Sequence, residues 1–187
     1  VGWGKTLGCI ASSITVNLPE PGHIHRGAGK HGAAHTVFRA GEVHGRISPR
    51  AEEICRLVGY ADSAKVTSNL WGERWSKLVA NAMGNGLSAC TGLPGGQMLE
   101  NEPIRRFSTR LGSEAIRVGQ AHGYQLEEIL HIPPETIARA GEGDEAAVRI
   151  GANDSLANGF TAGGYPGLGN RNLPNDGHVF TLSLSAS

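Results

Sequence analysis

The sequence predicts an α/β segment followed by an all-α domain and an irregular tail, and three observations carry that reading. Up to residue 67 the apolar runs are short and broken by turn residues. From residue 68 the apolar positions recur at helical spacing. Beyond Gly151 neither period survives: 37 residues hold seven glycines, five asparagines and only three charged side chains, Asp154, Arg171 and Asp176. The expected divisions are therefore 1–67, 68–150 and 151–187. The last has too little apolar surface to offset the entropy of ordering and is expected to be irregular.

In chain order, Ile10 to Leu18 reads as strand, Pro19-Glu20-Pro21-Gly22 as a turn and His35 to Ala40 as a further strand. Ser48-Pro49 predicts a helix start, with a capping hydroxyl followed by proline at the first helical position. Ile54, Leu57 and Val58 supply that helix with an apolar face, Cys55 adjoins it as a buried thiol, and Gly59 ends it. Val66 and Thr67 form a last short strand.

A long helix follows over residues 69–90, with Trp71, Trp75, Leu78 and Ala82 as the buried stripe, widened by Val79 and Met83. Gly84 and Gly86 weaken its second half. Thr91 to Gly96 reads as a loop. A second helix starts near Asn101, with Pro103 in its first turn, and buries Ile104, Phe107, Leu111, Ala115 and Val118 before Gly123. A third runs from Pro133-Pro134-Glu135 to about Arg149.

Charge and cysteine content narrow the function. Lysine plus arginine and aspartate plus glutamate both number 17, so no bulk positive charge draws nucleic acid or an anionic membrane. Cys9, Cys55 and Cys90 are odd in number and lack a CxxC spacing, which fits a reducing cytoplasm rather than a disulfide framework or a thiolate zinc site. No run reaches the roughly 20 apolar residues of a membrane span, and no signal-peptide pattern opens the chain. Val1 is not a methionine, and the chain reads as truncated at its front.

The chemistry concentrates in the long helix. Lys77, Asn81 and Asn85 stand at i, i+4 and i+8, one polar row drifting by about 40° per step. Measured from the Trp71/Leu78 stripe, the row begins roughly 120° away and drifts toward the edge of the core, where a groove wall would sit. Such a row suits reduction of a ketone flanked by polar groups. An ammonium can stabilise the charge that grows on oxygen and donate the proton, while two carboxamides orient a hydroxyl or carboxylate without adding charge.

The motif Trp75-x-Lys77-Leu78-x-x-Asn81-x-x-x-Asn85, followed by Leu87, Ala89, Thr91-Gly92 and Pro94-Gly95, resembles the ketopantoate reductase C-terminal domain. The likeness reaches upstream to Leu18-Pro19-Glu20-Pro21-Gly22-His23-Ile24 and downstream through His122-Gly123-Tyr124, covering residues 1–135. It implies an NADP(H)-dependent oxidoreductase of pantothenate biosynthesis that reduces 2-dehydropantoate or a related 2-keto acid. It implies Lys77 as catalytic acid and Asn81 and Asn85 as substrate contacts; it leaves cofactor-binding residues unassigned and calls for no metal. It further implies a Rossmann-type NADP domain whose last strands and helix are residues 1–67, then an all-α domain of the 6-phosphogluconate-dehydrogenase-like kind, with the site in the cleft between them. A cytoplasmic enzyme, able to form a homodimer, completes that picture.

Two departures accompany the resemblance. The family's Gly-x-Gly-x-x-Gly phosphate turn has no equivalent here, so cofactor affinity is expected to be severely impaired. The family's late Ser-Met-x-Gln-Asp…Thr-Glu-Ile-Asp segment is also missing, and no glutamate follows Glu145.

Three rival readings stand beside it. Gly4-Lys5-Thr6 matches the end of a phosphate-binding loop, without the strand that should precede it. His23, His25, His31, His35 and His44 form a local excess, yet no carboxylates or thiolates join them, and exposed strand and loop histidines are the favoured reading. A non-catalytic helical dimerisation or interaction fragment is the alternative function, and the Lys77/Asn81/Asn85 row is the feature such a fragment would not require.

Overall fold

Residues 2–12, 14, 16–26, 36–93 and 95–148 are described by the structure, a computed structural model. The 151–187 tail, Arg149, His31, His35 and Pro94 lie outside the described residues. The chain divides into one unit that ends at Glu73 and a second that begins at Arg74.

Among the described residues the first unit holds five strands and one full helix. A 3₁₀ turn over Trp3–Lys5 leads into β1 (Leu7–Ala11), and β2 (Val16–Glu20) and β3 (His23–Arg26) follow. β4 (Phe38–Glu42), helix α1 (Pro49–Val58) and β5 (Ala64–Val66) come next. β4 is the centre of a mixed sheet ordered β1-β4-β5, antiparallel to β1 and parallel to β5, with α1 as the crossover. The run expected from Ile10 to Leu18 is thus two strands in two sheets, because β1 ends at Ala11 and β2 pairs only with β3. Pro19 and Glu20 belong to β2, so the turn contracts to Pro21-Gly22, where φ of +79° at Gly22 favours glycine.

Burial in β1 alternates, with Gly8 and Ile10 inward and Cys9 outward. Gly8 is needed there: a Cβ would lie 2.6 Å from Leu70 Cδ1. Gly41 on β4 is tighter still, since its Cβ would stand 2.5 Å from the Thr67 carbonyl oxygen.

Helix α1 begins as its sequence requires. Ser48 Oγ accepts a hydrogen bond from the Ala51 N–H at 3.3 Å, and Pro49 occupies the first turn. Its buried residues are Ala51 and Cys55, whereas Leu57 is exposed, so the apolar face lies one position away from Ile54/Leu57/Val58. Cys55 is a buried thiol, and desolvation pushes its pKa up, which leaves it a poor nucleophile.

Glu42 anchors this unit. It is buried, accepts from Arg50 Nε at 2.7 Å and Arg50 Nη2 at 2.6 Å, and also takes the Ser48 hydroxyl. Those hydrogen bonds from Arg50, with the Ser48 contact and the arginine's charge, outweigh desolvation and hold its carboxyl at about 2 instead of 4.5. A depressed carboxylate pKa stabilises the fold above the ordinary value and ceases to do so as pH falls through the folded one. The Glu42→Gln variant is therefore expected to be less stable than the parent at neutral pH, with the gap closing between pH 4.5 and about 2. Urea unfolding across that range checks it; a gap independent of pH refutes it.

The second unit is helical. Helix α2 (Leu70–Thr91) crosses the division between units, and α3 (Gly95–Glu100), α4 (Glu102–Ala121) and α5 (Pro134–Gly141) follow. Of the residues read above as loop, Thr91 ends α2 and Gly95 and Gly96 begin α3. α4 starts as expected, with Asn101 Oδ1 accepting from the Ile104 N–H at 3.2 Å, and ends before Gly123, whose φ is +78°.

Its buried face differs from the expected one. Gly112, Ser113, Ile116 and Gly119 are buried, while Phe107 and Val118 are exposed. Small residues carry the contact because they let neighbours in: a Cβ on Gly112 would meet Met83 Sδ at 2.7 Å, and one on Gly119 would meet Trp75 Nε1 at 2.3 Å. α5 stops at Gly141 rather than near Arg149, since Gly143 takes a φ of +100° and the Asp144 carboxylate caps the Ala146 and Ala147 amides.

Val79, Ile116, Ile129, Ile132, Ile137 and Ala138 form the core of this unit. Ile129 and Ile132 exchange backbone hydrogen bonds across a two-residue turn in which Leu130 (φ 56°) and His131 (φ 66°) are both left-handed. Neither is glycine, so burial of the two flanking isoleucines holds the turn against its intrinsic cost. Among the described residues no helix is long and apolar enough to cross a membrane.

Candidate functional site: a polar row on helix α2

Helix α2 is fixed at both ends by side chains. Asn69 Oδ1 accepts from the Gly72 N–H at 3.2 Å, and Asn69 itself is held by Thr67 Oγ1 at 3.0 Å. At the other end Gly92, with φ of +69°, donates to the Ser88 carbonyl at 2.8 Å, and Thr91 Oγ1 donates to the Leu87 carbonyl at 2.7 Å. The interior glycines Gly84 and Gly86 do not break it, although each costs about 1 kcal/mol relative to alanine.

One face of α2 is committed to the core of its unit. Val79 is fully buried; Trp75 donates from Nε1 to the Ala115 carbonyl at 2.8 Å; Met83 packs over Gly112. Ser76 Oγ accepts from the Glu127 N–H at 2.8 Å and donates to the Glu127 carbonyl at 3.1 Å. The buried line is therefore Trp75, Val79 and Met83. Leu78 is half exposed, Ala82 is exposed, and Trp71 is exposed with its indole N–H on the Val43 carbonyl at 3.1 Å, so Trp71/Trp75/Leu78/Ala82 is not the buried stripe.

That correction moves the polar row as well. Counted from Val79 at about 100° per residue, Lys77 and Asn81 each stand about 160° away, on either side of the far pole, and Asn85 about 120° away. The row lies opposite the core, not at its edge. Its three members share a face as the spacing requires, with successive Cα positions about 6 Å apart along the axis.

Lys77 and Asn81 are half-buried and Asn85 is exposed. Lys77 has neither a hydrogen bond nor an ion pair among the described residues, and desolvation lowers its pKa below the ordinary 10.5. An ammonium in that state gains from an arriving anion more than a fully hydrated one would. Asn81 and Asn85 also make no hydrogen bond among the described residues, so both amides are free to donate and accept. Ser88, which the sequence reading passed over, extends this face by another turn, but its hydroxyl is committed to the Leu93 carbonyl at 2.9 Å. The signal that could have found it is its three-residue spacing from Asn85, the other spacing that keeps residues on one helix face.

The other candidates are dispersed. Gly4-Lys5-Thr6 sits on and after a 3₁₀ turn that feeds a strand, whereas a phosphate-binding loop must feed a helix. His23 and His25 are exposed on β3, and His44 lies 3.8 Å from Glu42. Among the described residues no group of three or more His, Cys, Asp or Glu is placed to hold a metal ion. A depression on α4 and α5 contains Arg117, but its guanidinium is already forked between Glu135 and Glu142. No described strand leads through a glycine-rich turn into a helix, so these residues do not form a dinucleotide-binding turn.

Among the described residues, fold and row together place a lysine without an ion pair and two uncommitted amides on the face of α2 turned away from the core of its unit. Comparison with known proteins gives a likeness: residues 69–148 match the family model described as Ketopantoate reductase PanE/ApbA C terminal, so this stretch is similar to that C-terminal domain.

Solved structures agree. The chain is similar to a protein assigned as a ketopantoate reductase from Ralstonia solanacearum MolK2, at 25% identity and a TM-score of 0.57, over 76% of this chain and 43% of that one. It is similar in fold to the 2-dehydropantoate 2-reductase from Geobacter metallireducens GS-15, at 23% identity and a TM-score of 0.56, over 82% of this chain and 55% of that one. The 2-dehydropantoate 2-reductase from Methylococcus capsulatus matches at 24% identity and a TM-score of 0.54, over 79% and 46% respectively. The chain thus spans about half the length of the structures it matches. No curated protein matches it.

Proposed function

We propose that this chain supplies the substrate-handling half of an NADPH-dependent 2-keto acid reductase, with 2-dehydropantoate as the favoured substrate and the 2-hydroxy acid as product. The observation that carries the proposal is a half-buried lysine that has no counter-charge among the described residues, on one helix face with two uncommitted carboxamides, inside a stretch that matches this family's model. The substrate carboxylate and carbonyl oxygen would meet Lys77, and Asn81 and Asn85 would orient the hydroxyl and carboxylate by donating and accepting. As the carbonyl becomes an alkoxide, Lys77 stabilises the growing charge and delivers the proton to that oxygen. The low hydration that depresses its pKa also brings that pKa closer to the working pH, which favours proton transfer.

No dinucleotide turn is found among the described residues, so in this reading the nicotinamide, which supplies the hydride, would be held by a nucleotide-binding half whose phosphate turn is not among them. Residues 1–67 would be the end of that half: β4, α1 and β5 form the strand–helix–parallel strand unit on which nucleotide-binding sheets are built. Residues 68–150 would be the helical domain, and a cytoplasmic setting would suit the reaction.

The test is 2-dehydropantoate-dependent oxidation of NADPH by the full natural polypeptide containing this chain. Turnover is expected. Binding of NADPH without turnover of any 2-keto acid would overturn the reading in favour of a helical interaction module.

A further inference from the structure

Helices α2 and α4 contain glycines of two kinds. Gly112 and Gly119 are required by packing, since a Cβ on either would collide with Met83 or Trp75. Gly84 and Gly86 are not: beyond the helix's own backbone, a Cβ on either would meet no atom within 4 Å. Their φ values are ordinary for a helix, so no left-handed conformation calls for glycine either. The helix would be more stable with alanine at both positions.

Gly84 differs from Gly86 in where it points. It lies about 20° from Lys77 in helical projection and one turn beyond Asn81, and it is half-buried; Gly86 projects about 20° from Val79 but is exposed, because the core no longer covers that end of the helix. The vacant volume over Gly84 therefore adjoins Asn81, one turn away, and lies in line with Lys77 about 10 Å further along the axis.

We propose that Gly84 is a specificity-determining position, whose missing side chain makes room beside Asn81 for the branch at C3 of a 2-keto acid held by Lys77. The proposal rests on the reductase reading and deepens it. A straight-chain acid would leave that space unfilled, and any side chain at position 84 would compete with the branch for it.

The experiment compares kcat/KM for 3,3-dimethyl-2-oxobutanoate with that for 2-oxobutanoate in the full natural polypeptide and its Gly84→Ala, Gly84→Val and Gly86→Ala variants. Gly84→Val is expected to lower the branched-to-straight ratio roughly tenfold or more, and Gly84→Ala to lower it by less, in keeping with what one or two methyl groups decide in a pocket. Gly86→Ala, on the other side of the helix, is expected to keep the ratio within about twofold. Because the ratio is internal to each variant, loss of folded protein cancels from it, and the alanine variant reads the same effect if valine is not tolerated. Turnover of both acids with an unchanged ratio in both Gly84 variants overturns the role of Gly84 and leaves the reductase reading standing. A parent protein that turns over neither acid overturns the role of Gly84; one that also fails to turn over 2-dehydropantoate overturns the reductase reading as well.

Discussion

Replacing Lys77 with alanine is expected to lower kcat on 2-dehydropantoate by about two to four orders of magnitude, the combined reach of a lost proton donor and a lost oxyanion stabiliser. The same lysine carries a desolvation cost, because its pKa is held below 10.5 by burial and nothing among the described residues offsets it. The sign follows from linkage. A lysine whose folded pKa lies below its unfolded one penalises folding at every pH under the folded value, and the penalty fades as pH rises toward 10.5. Lys77→Met, which keeps the stem and removes the charge, is therefore expected to gain stability at neutral pH while losing turnover as Lys77→Ala does. Denaturant melts and initial rates on the same preparations check both halves. Retention of near-parental kcat in either variant would remove Lys77 from the chemistry.

Substituting Gly119 with alanine is expected to destabilise the helical unit by roughly 2–4 kcal/mol. An alanine Cβ would stand 2.3 Å from Trp75 Nε1 and 2.4 Å from Cδ1, and a flat indole cannot yield there by a simple rotation. The ring must move, giving up its 2.8 Å hydrogen bond to the Ala115 carbonyl and its packing on the Val79 and Ile116 cluster. Overpacking of that kind costs about 1–3 kcal/mol and the lost hydrogen bond about 1 kcal/mol more. Gly84→Ala, in the same fold, should shift stability the other way by roughly 0.5–1 kcal/mol. Opposite shifts in the urea midpoint of the two variants would show that the sequence spends glycine for two separate reasons; shifts of the same sign would refute that.

Much of the helix placement was legible because its punctuation is chemical. Ser48, Asn101 and Gly123 each announced a boundary that the hydrogen bonds and dihedrals bear out. The choice of face was less legible. In α2 the apolar residues span a wide arc, and period alone cannot choose between the lines through Leu78 and through Val79. The choice fell to partners remote in sequence: Trp71 is drawn to Val43 and Trp3, Trp75 to the backbone of α4. In α4 the large residues misled, since Gly112 and Gly119 mark where neighbours come close while Phe107 and Val118 remain outside. The β2–β3 hairpin gave no alternation to read because every residue of β2 is exposed.

The candidate row depended least on such context. Four-residue spacing puts Lys77, Asn81 and Asn85 together on any α-helix, and only their angle to the core had to be corrected.

An unneutralised ammonium on a partly dry surface sorts molecules by the sign of their charge before it sorts them by shape. In α2 the two tasks would fall to different residues: charge sign to Lys77, and contour to uncharged neighbours whose replacement leaves the electric field almost untouched. If the proposed reading holds, descendants of such a helix would change which acid they prefer without surrendering a preference for acids.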